Sequence, residues 1–335
     1  MHKLFGLILF FLSPQLTQAL TTPHVTAKCT QGDRRLNVQV LDSSASYPES
    51  PTQFKNLLYF VEYSKDQVSV IDLSSSSYTK HRFWKKKGCG PAAITPLKAG
   101  ESFLVACYDE HSIAQISNSG SLIQMLRPKN PKTMIGPNDF AHDQRGGVYF
   151  SASGVFDPKA PISGKIFYLD PSLQLTEVAN NIHYSNGLSV SPDQKFLIVS
   201  EHFKNRLLKY PIFSPGKLSP NRAVFNDLNQ STPTTQNYAP GYLGPDGIRL
   251  GIDKTFYIAQ YGGARVLHLD LDGQYLNQIK FHGPYTHVTN IWPGKNSLIV
   301  SIVRDAQKQS YPGVLLRIDE ISHKRSEEVN CSLTL

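Results

Sequence analysis

The chain has 335 residues, 40% of them apolar and 18% charged, with 23 glycines and 22 prolines. Those values exclude a disordered or fibrous polymer and describe a globular chain rich in turns. The net charge of +8 is scattered, apart from Lys85-Lys86-Lys87 beside Trp84; with no basic stripe or recognition motif around that tripeptide, nucleic acid is not an expected partner.

At the N-terminus, His2 and Lys3 precede an apolar run over 4–12, then Ser13, Pro14 and a small-x-small site at Thr17-Gln18-Ala19. This is the pattern of a secretory signal peptide over residues 1–19, leaving 20–335 as one domain. No later segment reaches ~18 consecutive apolar residues, so no stable membrane anchor is expected and the mature protein should be secreted or periplasmic. Four cysteines remain, at 29, 89, 107 and 331, and export makes disulfides reasonable. There is no Cys-x-x-Cys and no His/Cys zinc spacing. Asn229 and Asn330 begin Asn-x-Ser sequons, which matter only in a glycosylating organism.

The rest of the chain repeats. Residues 36–41 alternate like a strand, and 57–61 and 67–73 follow as a strand pair. Comparable strand–turn–strand groups then recur. Their first strands start at Glu49, Pro91, Asn138, Asn186, Asp246 and Thr289, and successive starts lie 42, 47, 48, 60 and 43 residues apart. The clearest copy covers 184–201, where Ser191-Pro192-Asp193-Gln194 reads as a turn between Asn186-Gly187-Leu188 and the apolar run 196–199. Pro192 pre-sets the turn φ and Asp193 can accept backbone N–H groups there. A period of ~40–50 residues with several strands per unit predicts an all-β, six-bladed β-propeller. The Gly-His…Trp-Asp signature of a seven-bladed WD repeat is missing. Closing such a ring needs an edge strand. Residues 36–41 can supply the outer strand of the last blade beside the C-terminal residues, which brings Cys29 towards Cys331. Cys89 precedes the first strand of blade two and Cys107 ends its second, so these two can also meet.

In a meander blade the innermost strand comes first, so equivalent starting residues converge at the top of the central channel. Here they include Glu49, Asn138, Asn186 and Asp246, two carboxylates and two amides. Any one of them alone reads more readily as a turn or cap residue. Four at one blade position favour a ring around a divalent cation, because carboxylates in a low-dielectric channel are costly without one. Oxygen donors without sulfur or imidazole point to Ca²⁺ first, with Mg²⁺, Mn²⁺ or Zn²⁺ as alternatives. The long loops 153–164 and 231–244 should lie over this face, with Tyr238 and Tyr242 as a possible aromatic wall. His142, four residues down its strand, is expected deeper in the channel as a structural group. His287, near the top of blade six, is a candidate substrate-facing base. No Gly-x-Ser-x-Gly elbow is present.

The chain resembles the SMP-30/gluconolactonase/LRE-like family of calcium-dependent hydrolases, which are six-bladed propellers. The resemblance rests on Glu49-Ser50-Pro51, Pro137-Asn138-Asp139, Asn186-Gly187-Leu188 with Ser191-Pro192-Asp193, and Pro245-Asp246-Gly247 with Gly262-Gly263, in family order. It implies Glu49, Asn186 and Asp246 as metal ligands, and Asn138 as a further ligand or a contact to substrate. Asp246 is implied as the catalytic group that assists water in attacking a metal-polarised lactone or ester carbonyl. The implied partner is a small-molecule substrate. Asp157 falls near the place of a substrate-binding acid in the sugar-lactone branch, although it also reads as a solvated loop residue before Pro158. That branch carries an Arg two residues before the Asn-Asp pair. Here the position is Gly136, so a sugar lactone is not implied. The competing expectation is a non-catalytic ligand- or protein-binding propeller with a structural calcium ion.

Overall fold

A computed structural model describes residues 25–232, 242–304, 310–321 and 327–334. The expected leader over 1–19 and Tyr238 lie outside the described residues. Within them, apolar strand runs separated by short turns form six antiparallel groups in sequential order. Blade one illustrates the plan: Pro48–Phe54, Leu57–Glu62, Gln67–Asp72 and Lys80–Lys85 pair in succession. The inner strands of the other blades are Pro91–Leu97, Pro137–His142, Ser185–Val190, Gly244–Leu250 and His287–Pro293.

Burial falls from the axis outward. In blade two, Ser102–Cys107 is buried at every position, whereas Leu122–Leu126 at the rim is largely exposed. The reason is geometric: second strands have a neighbouring blade on each face and therefore read as unbroken apolar runs. The buried side chains gather into six layers, one between each pair of adjacent blades. The layer of Phe60 and Ile71 with Ile299 and Leu315 joins blade one to blade six and closes the ring. The turn at 191–194 forms as its residues suggest. Gln194 N donates to Ser191 O at 2.9 Å, Ser191 Oγ donates to Asp193 at 2.6 Å, and Lys195 N donates to the same carboxylate at 3.1 Å.

Closure goes further than the sequence suggests. Arg34–Ser46 is the outer strand of blade six, paired with Pro312–Asp319. Thr26–Gln31 pairs with it and with Val329–Thr334, and the latter runs parallel to Tyr275–His282 of blade five. Blades five and six thus become one ten-stranded sheet, and the outer edges that would otherwise stay open are paired. Cys29 faces Cys331 in that seam and is bonded to it, and Cys89 is bonded to Cys107. No helix of the described residues is long and apolar enough to cross a membrane.

Candidate metal centre at the mouth of the central channel

The inner strands do not run regularly at their upper ends. Register shifts fall between Glu49 and Thr52, Pro137 and Phe140, Ser185 and Leu188, and Pro245 and Ile248. A bulge interrupts the two-residue alternation and re-aims a side chain, here at the positions of the four polar residues. Close approach of blades four and five depends on Gly187, where a Cβ would lie 2.2 Å from the carbonyl oxygen of Asp246. Ser200 Oγ donates to that same oxygen at 2.8 Å. Glu49, Asn138, Asn186 and Asp246 thereby line one cavity of about 210 Å³.

Glu49, Asn186 and Asp246 are all at least nine-tenths buried. Burial holds the Asp246 carboxyl well above the usual carboxylate range, helped by the charge of Asp139 and opposed by an Asn186 hydrogen bond and Arg249. Burial likewise pushes Glu49 up, reinforced by the charges of Asp246 and Asp139, while a backbone hydrogen bond from Ser50 and the charge of Arg249 act the other way. With the Asn186 amide donating to Asp246, its Oδ1 is left buried with no hydrogen-bond partner among the described residues. Two carboxyl groups sharing a buried cavity with an orphaned amide oxygen form an all-oxygen donor set that could hold a hard divalent cation. Among the described residues no three His, Cys, Asp or Glu side chains converge, so the set does not suit a site built on imidazole or thiolate.

Below this ring the channel is braced. Arg249 of blade five donates to both oxygens of Asp139 of blade three, at 2.7 and 2.9 Å, with Asp139 almost wholly buried. His142 Nε2 bonds Thr95 Oγ1 at 2.7 Å in the lower cavity, on the far side of the Asp139–Arg249 pair, where His142 is exposed at the lower mouth of the channel and not buried within it.

The cavity walls are aromatic, and sequence reading missed them. Tyr63, Tyr108 and His202 directly follow the second strands of blades one, two and four, and Tyr261 ends that of blade five. Tyr47 and Tyr184 sit two residues before Glu49 and Asn186, and Phe156 enters from the loop 153–164. The signal was present as an aromatic residue or histidine recurring at the upper end of second strands. Phe156 packs against Tyr184 and His202 with ring centroids 5.0 and 5.4 Å apart.

Three other expected residues lie elsewhere. Asp157 is exposed, outside the lining, and accepts from Lys159 N at 2.8 Å to cap its own turn. His287 lies behind the wall, 4.4 Å from the Tyr261 ring and bonded through Nδ1 to Thr286 Oγ1 at 3.0 Å. Tyr242 is 39% exposed and also outside the lining.

A family model described as the SMP-30/Gluconolactonase/LRE-like region matches residues 47–302. Lactonase drp35 of Staphylococcus epidermidis is 30% identical over 239 residues, covering 68% of this chain and 69% of the relative. A luciferin-regenerating enzyme superposes with a TM-score of 0.70 at 18% identity, over 86% of this chain and 96% of its own. Regucalcin from Agrobacterium tumefaciens, described as a calcium-binding protein, superposes with a TM-score of 0.69 at 18% identity, over 88% and 97%.

Proposed function

Since the chain belongs to the SMP-30/gluconolactonase/LRE-like family, we propose that it is an exported, metal-dependent hydrolase of lactones or small esters. The observation that carries this reading is the cavity floor, where buried Glu49 and Asp246 stand beside the orphaned Oδ1 of Asn186. Glu49, Asn138, Asn186 and Asp246 would hold the cation, and their all-oxygen chemistry favours Ca²⁺. When bound, a divalent cation polarises a carbonyl and offsets the negative charge that develops on its oxygen.

The chain's own residues account for the rest. The Asp246 carboxylate takes a proton from the attacking water, and the Asn186 amide orients it through their hydrogen bond. Asn138 lines the same floor and is placed to contact the substrate. The water oxygen bonds to the acyl carbon, the acyl–oxygen bond breaks, and the proton held by Asp246 passes to the departing alkoxide. The aromatic walls lower the local dielectric and so strengthen electrostatic interactions at the floor. The N-terminal leader pattern and the two disulfides support export to an oxidising compartment.

The test is hydrolysis of a panel of lactones and aryl esters by protein purified without chelator, with its metal content measured. Turnover lost on chelation and restored by Ca²⁺ supports the proposal. Stoichiometric bound metal with no turnover on any substrate would instead favour a binding propeller.

A further inference from the structure

The wall chemistry points to the class of acyl group this cavity takes, an inference that rests on the hydrolase reading above. We propose that Tyr108 is a specificity-determining residue and that the cavity selects a flat, aromatic lactone or aryl ester over a polyhydroxylated one.

The first support is the exchange of Tyr108 for a side chain at position 136. Gly136 has a φ of +61°, and a Cβ built there would meet Tyr108 Cε2 at 2.7 Å and the carbonyl oxygen of Gly154 at 3.0 Å. The Tyr108 ring thus occupies the space through which a residue at 136 would reach the cavity. Gly136 N donates to His111 Nδ1 at 3.2 Å, which ties this backbone to the turn following Tyr108. The ring is anchored from behind, since Cys107 is bonded to Cys89 and Tyr63 packs edge-on against Tyr108 with centroids 6.3 Å apart.

The second support is how the phenol hydroxyls are used. Tyr184 donates to the Tyr108 hydroxyl at 3.1 Å, and Tyr108 donates to the carbonyl oxygen of Gly154 at 3.0 Å. Tyr63 donates to Asp109 at 2.9 Å. These three donors are committed to the protein, so the side of the wall formed by Tyr63, Tyr108 and Tyr184 offers a ligand ring faces and edges, and the polar groups of the cavity lie on its floor and on its opposite side at Tyr47, Tyr261 and Tyr311. A polyol laid against that side would lose water from its hydroxyls and find no donor there to replace it, which costs affinity. An aromatic ring loses nothing comparable and gains offset or edge-to-face contacts. The volume of about 210 Å³ lies below the ~300 Å³ typical of drug-sized pockets, which favours a ligand with one or two rings.

The experiment uses the Ca²⁺-loaded protein and three non-hydrolysable probes: a benzo-fused δ-lactam, δ-valerolactam and gluconolactam. Calorimetry should rank them in that order, with the benzo-fused lactam bound about three- to tenfold more tightly than valerolactam, as one ring pair is worth. Tyr108→Ala should collapse that ratio towards one, and Tyr108→Phe, which keeps the ring, should retain it. Gluconolactam binding most tightly, or a ratio unchanged in Tyr108→Ala, overturns the proposal. The wild-type ranking decides the matter even if the alanine variant does not fold. Turnover of the matching lactones separates the two claims. Aromatic preference in binding without turnover defeats the hydrolase reading alone, and turnover without aromatic preference defeats this inference alone.

Discussion

The upper and lower halves of the central channel hold similar polar residues and treat them in opposite ways. Below, Asp139 and Arg249 form a bidentate pair across the axis and His142 bonds Thr95. Above, Glu49 and Asp246 face one cavity with their carboxyls held up by burial, and Asn186 Oδ1 lacks a partner among the described residues. The buried Asp139 carboxylate, satisfied within the protein, braces the fold, and His142 caps Thr95 at the exposed lower mouth. Buried groups left unsatisfied at the floor of an open cavity point to something the protein binds.

That contrast breaks if variants in the two halves behave alike. The largest effect should come from Asp246→Asn, which removes the proposed proton acceptor from the floor. Its kcat/KM on a substrate of the wild type should fall on the order of 10²–10⁴-fold. In the metal-free protein the same change should raise the denaturation midpoint, since it removes a buried like charge; a lowered midpoint would argue that Asp246 is structural. Arg249→Met should do the reverse and destabilise the protein by roughly 3–5 kcal/mol in urea titrations, because it leaves Asp139 buried without its cation. The double variant Arg249→Met/Asp139→Asn should recover most of that loss. If each single variant costs under ~1 kcal/mol, the pair behaves like a surface bridge and the bracing role is wrong.

The pH dependence sharpens the contrast. Carboxyls raised in the folded state keep protons that the unfolded chain releases near ~4. Above that range the folded metal-free protein binds more protons than the unfolded one, so its stability should decline as pH rises through the raised values of Glu49 and Asp246. The slope approaches about 1.4 kcal/mol per pH unit for each proton retained. Denaturant titrations across pH, with and without Ca²⁺, check this; a cation that leaves the slope unchanged does not bind at these carboxylates. The smallest effect belongs to the wall. Gly136→Ala, at φ +61° and against the Tyr108 ring, should cost about 1–3 kcal/mol in the same assay. A neutral result would mean that Tyr108 moves aside easily.

Local chemistry made much of the fold legible. The Ser191–Gln194 turn and the inner-strand starts follow from turn residues and apolar runs, which act within a few residues, and the outer-strand role of residues 36–41 follows from a strand pattern that recurs every 42–60 residues. The Asn-Gly and Asp-Gly pairs at 186–187 and 246–247 could be seen, but not that Gly187 admits the backbone of the next blade. The parallel pairing of Val329–Thr334 with blade five was invisible, since no local pattern encodes which distant edge a terminal strand will cover.

For the cavity, the sequence by itself determined a recurring polar residue at the head of the inner strands, the absence of sulfur or imidazole among them, and a glycine at position 136. Only the tertiary structure decided that Glu49, Asn138, Asn186 and Asp246 share one cavity, that Asp139 turns down to Arg249, and that Asp157 and His287 stand outside the lining. It also decided that rings from five blades, each harmless packing when read alone, face one another as a wall. The reason is closure: residues dozens apart become neighbours only when six inter-blade layers join head to tail, and the angle at which each side chain then meets the axis is set by bulges and glycines, not by its own identity.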